Sequence, residues 1–274
     1  VLTDRQKKIL ERIVLEVGSK EISIEKVEII SKKTKVALRF IEWFTLEKGI
    51  IPSRYQRNIG NLGIEGQKKL LESSAIVVGL GGLGGFVCEH LARAGAGRIT
   101  GIDPDVFDQT NLNRQLFADS GNIGKKKTIE AGKRIKKINA SVEYKGYSKR
   151  FSRAGDKIWQ QGNIVFDCLD NISDRLLLAK KCSEANLPLI HGAIAGWYGQ
   201  VAVVWPRSHI IDRIYSLRSE GLEKKLGTPV FTAATAAGIM TAEGIKVLLG
   251  KIARGEHKIL CFDLMEDLWQ VTRL

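Results

Sequence analysis

Ala75-Ile-Val-Val-Gly79-Leu-Gly81-Gly82-Leu-Gly84-Gly85 is the stretch on which the fold turns. Its opening apolar run, rich in β-branched residues and bounded by glycine, reads as a buried strand. The glycines then read as a tight turn and the start of a helix. Gly79, Gly81 and Gly84 stand at the G-x-G-x-x-G spacing, with Gly82 in the same loop. The first glycine permits the turn, the second lets a phosphate approach the backbone, and the third lets helix and strand pack closely. The helix N-terminus that follows offers free N–H groups to an anion. Taken alone, the stretch suggests a nicotinamide dehydrogenase.

The residues further along change that reading. Asp103 ends the next strand, about twenty residues on, where an acid accepts hydrogen bonds from ribose hydroxyls. This position suits NAD and ATP equally. No G-x-x-x-x-G-K-[ST] string occurs. Asn111-Leu-Asn113-Arg114-Gln115 follows, then Lys127, then Asp167-Cys-Leu-Asp170-Asn171. Arg114 can fork two hydrogen bonds onto phosphate oxygens, and Lys127 supplies a point charge. Asp170 falls just past the carboxyl end of a strand, where open α/β sheets bind ligands. A carboxylate there can hold Mg²⁺, which keeps several waters and bridges phosphates. Hydride transfer has no use for this set, whereas a triphosphate with its magnesium ion does. A carboxylate attacking an α-phosphate is already an anion, so the demand is for charge neutralisation and in-line placement.

Outside these motifs the pattern alternates. Strand-like runs at 75–80, 98–103, 141–145, 164–169, 189–192 and 199–206 interleave with helical runs at 83–95, 125–138 and 172–186. Residues 207–231 read as irregular and polar, 233–249 as an Ala-rich helix, and 258–262 and 268–272 as closing strands. The expected fold is α/β, a Rossmann-like, mainly parallel sheet with helices on both faces. Residues 1–50 read differently, as a small three-helix domain ahead of a nucleotide-binding domain over 51–274. Its helices run from a Thr3 or Asp4 cap to about Val17, from near Ser23, and over about 36–47. This unit is compatible with a packing or dimerisation appendage, a peptide-docking module or a DNA-reading module.

The chain of 274 residues is 44% hydrophobic and 27% charged, ordinary values for a globular protein, so one large or two unequal domains are expected. No apolar run approaches the roughly 20 residues of a membrane span. The N-terminal string lacks a signal-peptide core, so a cytoplasmic location is the default expectation. Cys88, Cys168, Cys182 and Cys261 form no C-x-x-C pair, so no zinc is expected and the thiols read as structural. The net charge is +13, and residues 125–150 hold ten Lys or Arg against only Glu130 and Glu143. That run is a solvated helix face or a docking surface for an acidic protein. It lacks the interleaved aromatics of a nucleic-acid platform.

From Arg54 onward, roughly four fifths of its length, the chain resembles the ThiF/MoeB/HesA family, bacterial relatives of ubiquitin-activating enzymes. The strings that carry the resemblance are Arg54-Tyr-Gln-Arg57-Asn-Ile, Gly66-Gln-Lys-Lys-Leu, the glycine loop, Asp103-Pro-Asp105, Asn111-Leu-Asn-Arg114-Gln, Gly124-x-x-Lys127, Asp167-Cys-Leu-Asp170-Asn and His191-Gly-Ala. The resemblance implies ATP- and Mg²⁺-dependent adenylation of the C-terminal glycine of a ubiquitin-like sulfur carrier ending in Gly-Gly. Pyrophosphate leaves, and a sulfurtransferase is a candidate further partner. It implies that Asp103 and Asp105 serve the nucleotide, that Asn111, Arg114 and Lys127 contact phosphates, and that Asp170 holds Mg²⁺. It further implies that Arg57 acts from the neighbouring subunit of a homodimer. The family's zinc pairs are absent, and residues 207–231 hold no cysteine, so the expectation stops at adenylation. Other expectations left open are a peptide or tRNA-nucleoside carboxylate as acceptor, and a non-catalytic nucleotide-binding scaffold.

Overall fold

The computed structural model describes Gln6 and residues 8–11, 18–215 and 221–273. Most of the first expected helix lies outside these residues, although residues 8–11 are helical. A short strand β1 (Glu21–Ile22) leads into α1 (Ile24–Thr34), whose first turn is capped by the Ser23 hydroxyl accepting from the Lys26 N–H at 3.3 Å. Val27 and Ile30, three apart, face inward, while Ile24 and Ile29 lie exposed. Helix α2 (Leu38–Glu47) follows, then β2 (Ile51–Pro52), which pairs with β1 in parallel. Leu10, Ile22, Val27, Ile30, Val36, Ile41 and Phe44 close a small core of their own.

Helix α3 (Gln56–Glu72) was not visible in the sequence pattern. Three glycines interrupt its periodicity, and Gly63 (φ 70°, ψ 171°) breaks it internally. Beyond it run β3 (Ser74–Val78), α4 (Gly82–Ala94), β4 (Arg98–Ile102), α5 (Lys127–Ile138), β5 (Glu143–Tyr147), α6 (Asp156–Gln160) and β6 (Ile164–Asp167). The chain continues through α7 (Ile172–Glu184), β7 (Leu189–Ala195), β8 (Tyr198–Val204), α8 (Ile210–Tyr215), α9 (Glu223–Leu226), α10 (Val230–Leu248), β9 (Lys258–Asp263) and β10 (Leu268–Arg273). The stretch expected to be irregular therefore contains α8, α9 and the first two residues of α10.

The eight-stranded sheet has the order β10-β9-β8-β7-β6-β3-β4-β5. Strands β7, β6, β3, β4 and β5 are mutually parallel; β8, β9 and β10 add antiparallel pairings. All five residues of β3 are buried, as required of a central strand covered on both faces. Ala75 and Val77 pack under α4, α5 and α10, which supply Val87, Leu91, Ile135, Ala237 and Met240. Ile76 and Val78 pack on the opposite face with Trp159, Leu178, Cys182 and Ile211 from α6, α7 and α8. From β3 the chain moves outward to β4 and β5, then returns to β6 on the other side of β3. That reversal opens a crevice at the carboxyl ends of β3 and β6.

The N-terminal unit is fastened to this body by a buried polar cluster. Glu42 of α2 pairs with Arg54 at 3.1 Å and accepts from the Tyr55 hydroxyl at 3.1 Å. Asn139, just past α5, donates to the Tyr55 oxygen at 2.9 Å. Burial pushes the Glu42 carboxyl up, against the opposing pull of Arg54. Among the described residues, no helix is long and apolar enough to cross a membrane.

Candidate active site

A cleft of about 510 Å³ occupies the crevice between β3 and β6. Its floor is the glycine turn. Gly79 has φ +87°, and a Cβ there would stand 2.5 Å from the Cys168 carbonyl oxygen, so only glycine fits. Gly84 faces away from the cleft: a Cβ on it would meet the Gly79 carbonyl oxygen at 1.8 Å, which makes it the close-packing residue of helix on strand. Gly81 and Gly82 differ from both. A Cβ on either would first meet a side chain, Gln115 or Arg114, at 3.5 Å, and both residues line the cleft. The first turn of α4 thus bares its backbone N–H groups to whatever occupies the cleft.

Asp103 follows β4 directly and is nearly buried. Its two carboxylate oxygens accept from the Leu80 N–H at 2.6 Å and the Asp105 N–H at 2.8 Å. Burial raises this carboxyl, while Lys127 and the two N–H groups oppose the rise. Each oxygen keeps lone-pair capacity for a hydroxyl donor. Lys127 opens α5, and its Nζ lies 3.2 Å from Asp105, an exposed carboxylate on the cleft wall. The stem of Arg114 lies over Gly82. Its NH1 donates to the Thr110 carbonyl at 3.0 Å and to the Asn113 side-chain oxygen at 2.9 Å, which fixes the guanidinium over the glycine turn. Asp170 stands exposed on the opposite wall, beyond β6.

Two expected site residues lie elsewhere. Asn111 does not line the cleft. Its side-chain oxygen accepts from the Asp108 N–H at 3.1 Å in a reciprocal cap that shapes the turn before Arg114. Arg57 is exposed on α3 and is not among the residues that wall its own chain's cleft. Arg150, Phe151 and Arg175 line the cleft without having been anticipated. Nothing in the sequence sets Arg150 apart from its basic neighbours. Arg175 had a detectable signal: it stands four residues after Asn171, whose side-chain oxygen caps α7 by accepting from the Asp174 N–H at 2.8 Å. A residue there sits on the first turn of a helix that begins at the cleft.

The site's metal capacity follows from its donors. Among the described residues, no group of three or more His, Cys, Asp or Glu side chains is arranged to hold an ion. A divalent cation here would depend on Asp170, water and ligand phosphates, the partial coordination that suits Mg²⁺. The thiols offer little: burial pushes Cys88, Cys168 and Cys182 upward, away from the reactive thiolate. Cys261, exposed on β9, is also raised by partial burial.

Comparison with known proteins adds an independent line. The SAMP-activating enzyme E1 of Haloferax volcanii is 29% identical over 226 residues, covering 80% of this chain and 84% of that protein. The sulfur carrier protein adenylyltransferase of Thermus thermophilus is 30% identical over 232 residues, 78% of this chain and 83% of that one. The adenylyltransferase and sulfurtransferase MOCS3 of Xenopus laevis is 36% identical over 153 residues, 55% of this chain, which spans only 34% of that relative's length. Among solved structures, E. coli MccB with AMPCPP and MccA superposes with a TM-score of 0.64, at 18% identity, over 99% of this chain and 88% of that one. At such identity the likeness is one of fold. The model of the ThiF family matches residues 55–274. The glycine turn at the switch point, the relatives named adenylyltransferases and this match agree: the chain belongs to the ThiF family.

Proposed function

We propose that the protein uses ATP and Mg²⁺ to adenylate the C-terminal glycine carboxylate of a ubiquitin-like sulfur carrier. The observation that carries this reading is the convergence in one cleft of the glycine turn, Asp103, Arg114, Lys127 and Asp170. Asp103 would hold the ribose. The α4 N-terminus, Arg114 and Lys127 would hold the phosphates, and Asp170, with water, would hold the magnesium ion. The carrier's carboxylate oxygen forms a bond to the α-phosphorus, the bond from that phosphorus to the bridging oxygen breaks, and pyrophosphate departs with the electron pair. No proton moves, which fits a cleft rich in charge whose described lining includes no imidazole.

Arg57 supports a shared site. An exposed cation outside its own cleft is available to a neighbour's, so the working assembly is read as a homodimer, with residues 51–274 carrying the reaction and residues 1–50 packed against them. The carrier relatives' names support the acceptor class, and a sulfurtransferase would act after adenylation. The cytoplasm is the compartment in which this chemistry is placed. The test is ATP–pyrophosphate exchange against small proteins ending in Gly-Gly. Exchange with at least one carrier, reduced about 100-fold or more in Asp170→Ala, is expected, since the ion's charge is central to phosphoryl transfer. Full exchange in Asp170→Ala removes the metal assignment; a cleft that binds NADH and refuses ATP removes the reading.

A further inference from the structure

Beneath the cleft lies a buried chain of polar groups that the adenylation reading leaves unused. Asp167, the last residue of β6, and His191, on neighbouring β7, are both fully buried. One Asp167 oxygen accepts from the Leu169 N–H at 3.1 Å, inside the turn that leads to Asp170. The other lies 2.7 Å from His191 Nδ1 and 3.9 Å from Arg175 NH1. A carboxylate at that distance requires the proton on Nδ1, which leaves Nε2 as an acceptor. The Tyr215 hydroxyl, 3.1 Å from Nε2, is its donor, with the Gln200 amide beside it at 3.4 Å. Burial would raise the Asp167 carboxyl, but Arg175 and the hydrogen bond from His191 outweigh it and hold it down. Burial pushes the His191 imidazole down, so the ring is neutral, as this arrangement needs.

The two ends of the chain are informative. At one end is the turn that presents Asp170. At the other is Tyr215, the last residue of α8, in the connection between β8 and α10. The same connection contributes Glu223 and Thr228 to the cleft wall. Arg175 binds the middle of the chain to the cleft: it lines the cleft, donates to the Gly192 carbonyl at 2.6 Å, and lies 5.9 Å from the Tyr215 ring centroid.

We infer that Tyr215, His191 and Asp167 form a positioning chain that holds the Asp170 turn in its metal-binding pose and ties that pose to the seating of α8. The inference rests on the adenylation reading for its assumption that Asp170 meets a divalent ion. Outer groups of this kind commonly set metal affinity by about 10- to 100-fold.

The test uses the full chain, Mn²⁺ as a paramagnetic probe and a non-hydrolysable ATP analogue. Free Mn²⁺ is measured by electron paramagnetic resonance, and analogue binding in EDTA by calorimetry. Tyr215→Phe removes one hydroxyl and keeps the ring. It should weaken Mn²⁺ binding to the nucleotide complex about tenfold, while metal-free analogue binding stays within about twofold. His191→Gln should do the same, and Asp170→Ala should weaken Mn²⁺ binding further, to what the analogue's phosphates hold alone. If Asp170→Ala weakens Mn²⁺ binding but Tyr215→Phe binds it like wild type, the inference falls and the adenylation reading stands. Equal weakening of metal-free binding in Tyr215→Phe would show a general packing role and also overturn it. Unchanged Mn²⁺ binding in Asp170→Ala would bring down both the inference and the metal assignment.

Discussion

Gly84→Ala should be among the most damaging single-methyl additions in the chain, although the residue never faces the cleft. The added Cβ would lie 1.8 Å from the Gly79 carbonyl oxygen, with the Cys168 Cβ at 3.4 Å behind it. Non-bonded heavy atoms rest about 3.5 Å apart, so helix and turn must separate by more than an ångström. The turn cannot yield easily, because the Gly79 N–H donates to the Ile102 carbonyl at 2.9 Å and the Leu80 N–H to Asp103 at 2.6 Å. Overpacking costs about 1–3 kcal/mol. Straining two such hydrogen bonds adds about 1 kcal/mol each. Alanine's better helix propensity returns about 1 kcal/mol. The net loss is about 2–4 kcal/mol, or a fall in melting temperature of roughly 4–16 °C for a chain of this size. Gly82→Ala is the control, since its Cβ meets only the flexible Arg114 stem at 3.5 Å. It should melt within about 3 °C of wild type yet bind ATP less tightly, because the methyl occupies the phosphate approach. Thermal denaturation followed by circular dichroism, with calorimetric titration of ATP, separates the two. A Gly84→Ala protein that melts with wild type would refute the packing argument.

Two other perturbations probe different parts of the molecule. Arg57→Ala should lose exchange activity as a homodimer and regain a substantial part in mixed dimers with Asp170→Ala, where one cleft keeps an intact Arg57 beside an intact Asp170; absence of recovery in every mixture counts against a shared site. Acid should destabilise the fold partly through His191, whose imidazole lies below its usual 6.5 because burial outweighs the pull of Asp167. The unfolded chain takes up a proton that the folded one refuses, so this contribution is complete above about pH 6.5 and is lost as the pH falls. The melting temperature of His191→Gln should therefore fall less than that of wild type between about pH 7.5 and 5.5, and parallel curves would exclude His191 as a source of acid sensitivity.

The inner parallel strands β3, β6 and β7 were legible because they are largely buried on both faces and read as short apolar runs closed by glycine or a polar residue, whereas the edge strand β5 has no buried residue. The glycine turn was legible for a stricter reason: its backbone approaches exclude side chains at fixed spacings. The misses have physical causes. Helix α3 hides behind Gly60, Gly63 and Gly66, and it is held by tertiary contacts such as Leu70 and Leu71 in the core. Helix α10 begins at Val230, ahead of the expected 233, although Val, Phe and Thr are weak helix formers. Phe231 packs against Trp197 with ring centroids 4.4 Å apart and the rings tilted by 40°, a contact from a distant hairpin that no local window contains. The direction of β8 to β10 was not read either, since pairing follows from connections. In the cleft, Asp103, Arg114, Lys127 and Asp170 were legible because strand ends and motif spacing locate them. Asn111 was placed among the phosphate contacts by resemblance, and its side chain is occupied by a turn cap. Arg150 owes its position to how separate elements meet, whereas Arg175 follows from the Asn171 cap that starts its helix at the cleft.

Burial separates Asp103 and Asp167 from Asp105 and Asp170, and the separation explains how one site can be both rigid and ready to exchange ligands. Asp103 and Asp167 are buried, and each spends an oxygen on a backbone N–H in the turn beyond its own strand, that of Asp105 and of Leu169. Removing either would leave buried donors unpaired, at about 1–3 kcal/mol each, so they behave as parts of the scaffold. Asp105 and Asp170 are exposed. The pair between Lys127 and Asp105, at 3.2 Å, joins a buried lysine to a carboxylate that is largely in water. A phosphate can take Lys127 from Asp105 by replacing one anion with another while the released carboxylate returns to water, whereas it could not take a partner from Asp103 or Asp167. The resting lysine is held in place by an anion that is easy to replace. Strand ends fix where the cations stand, and the degree of exposure of their partners decides which of them a ligand can recruit.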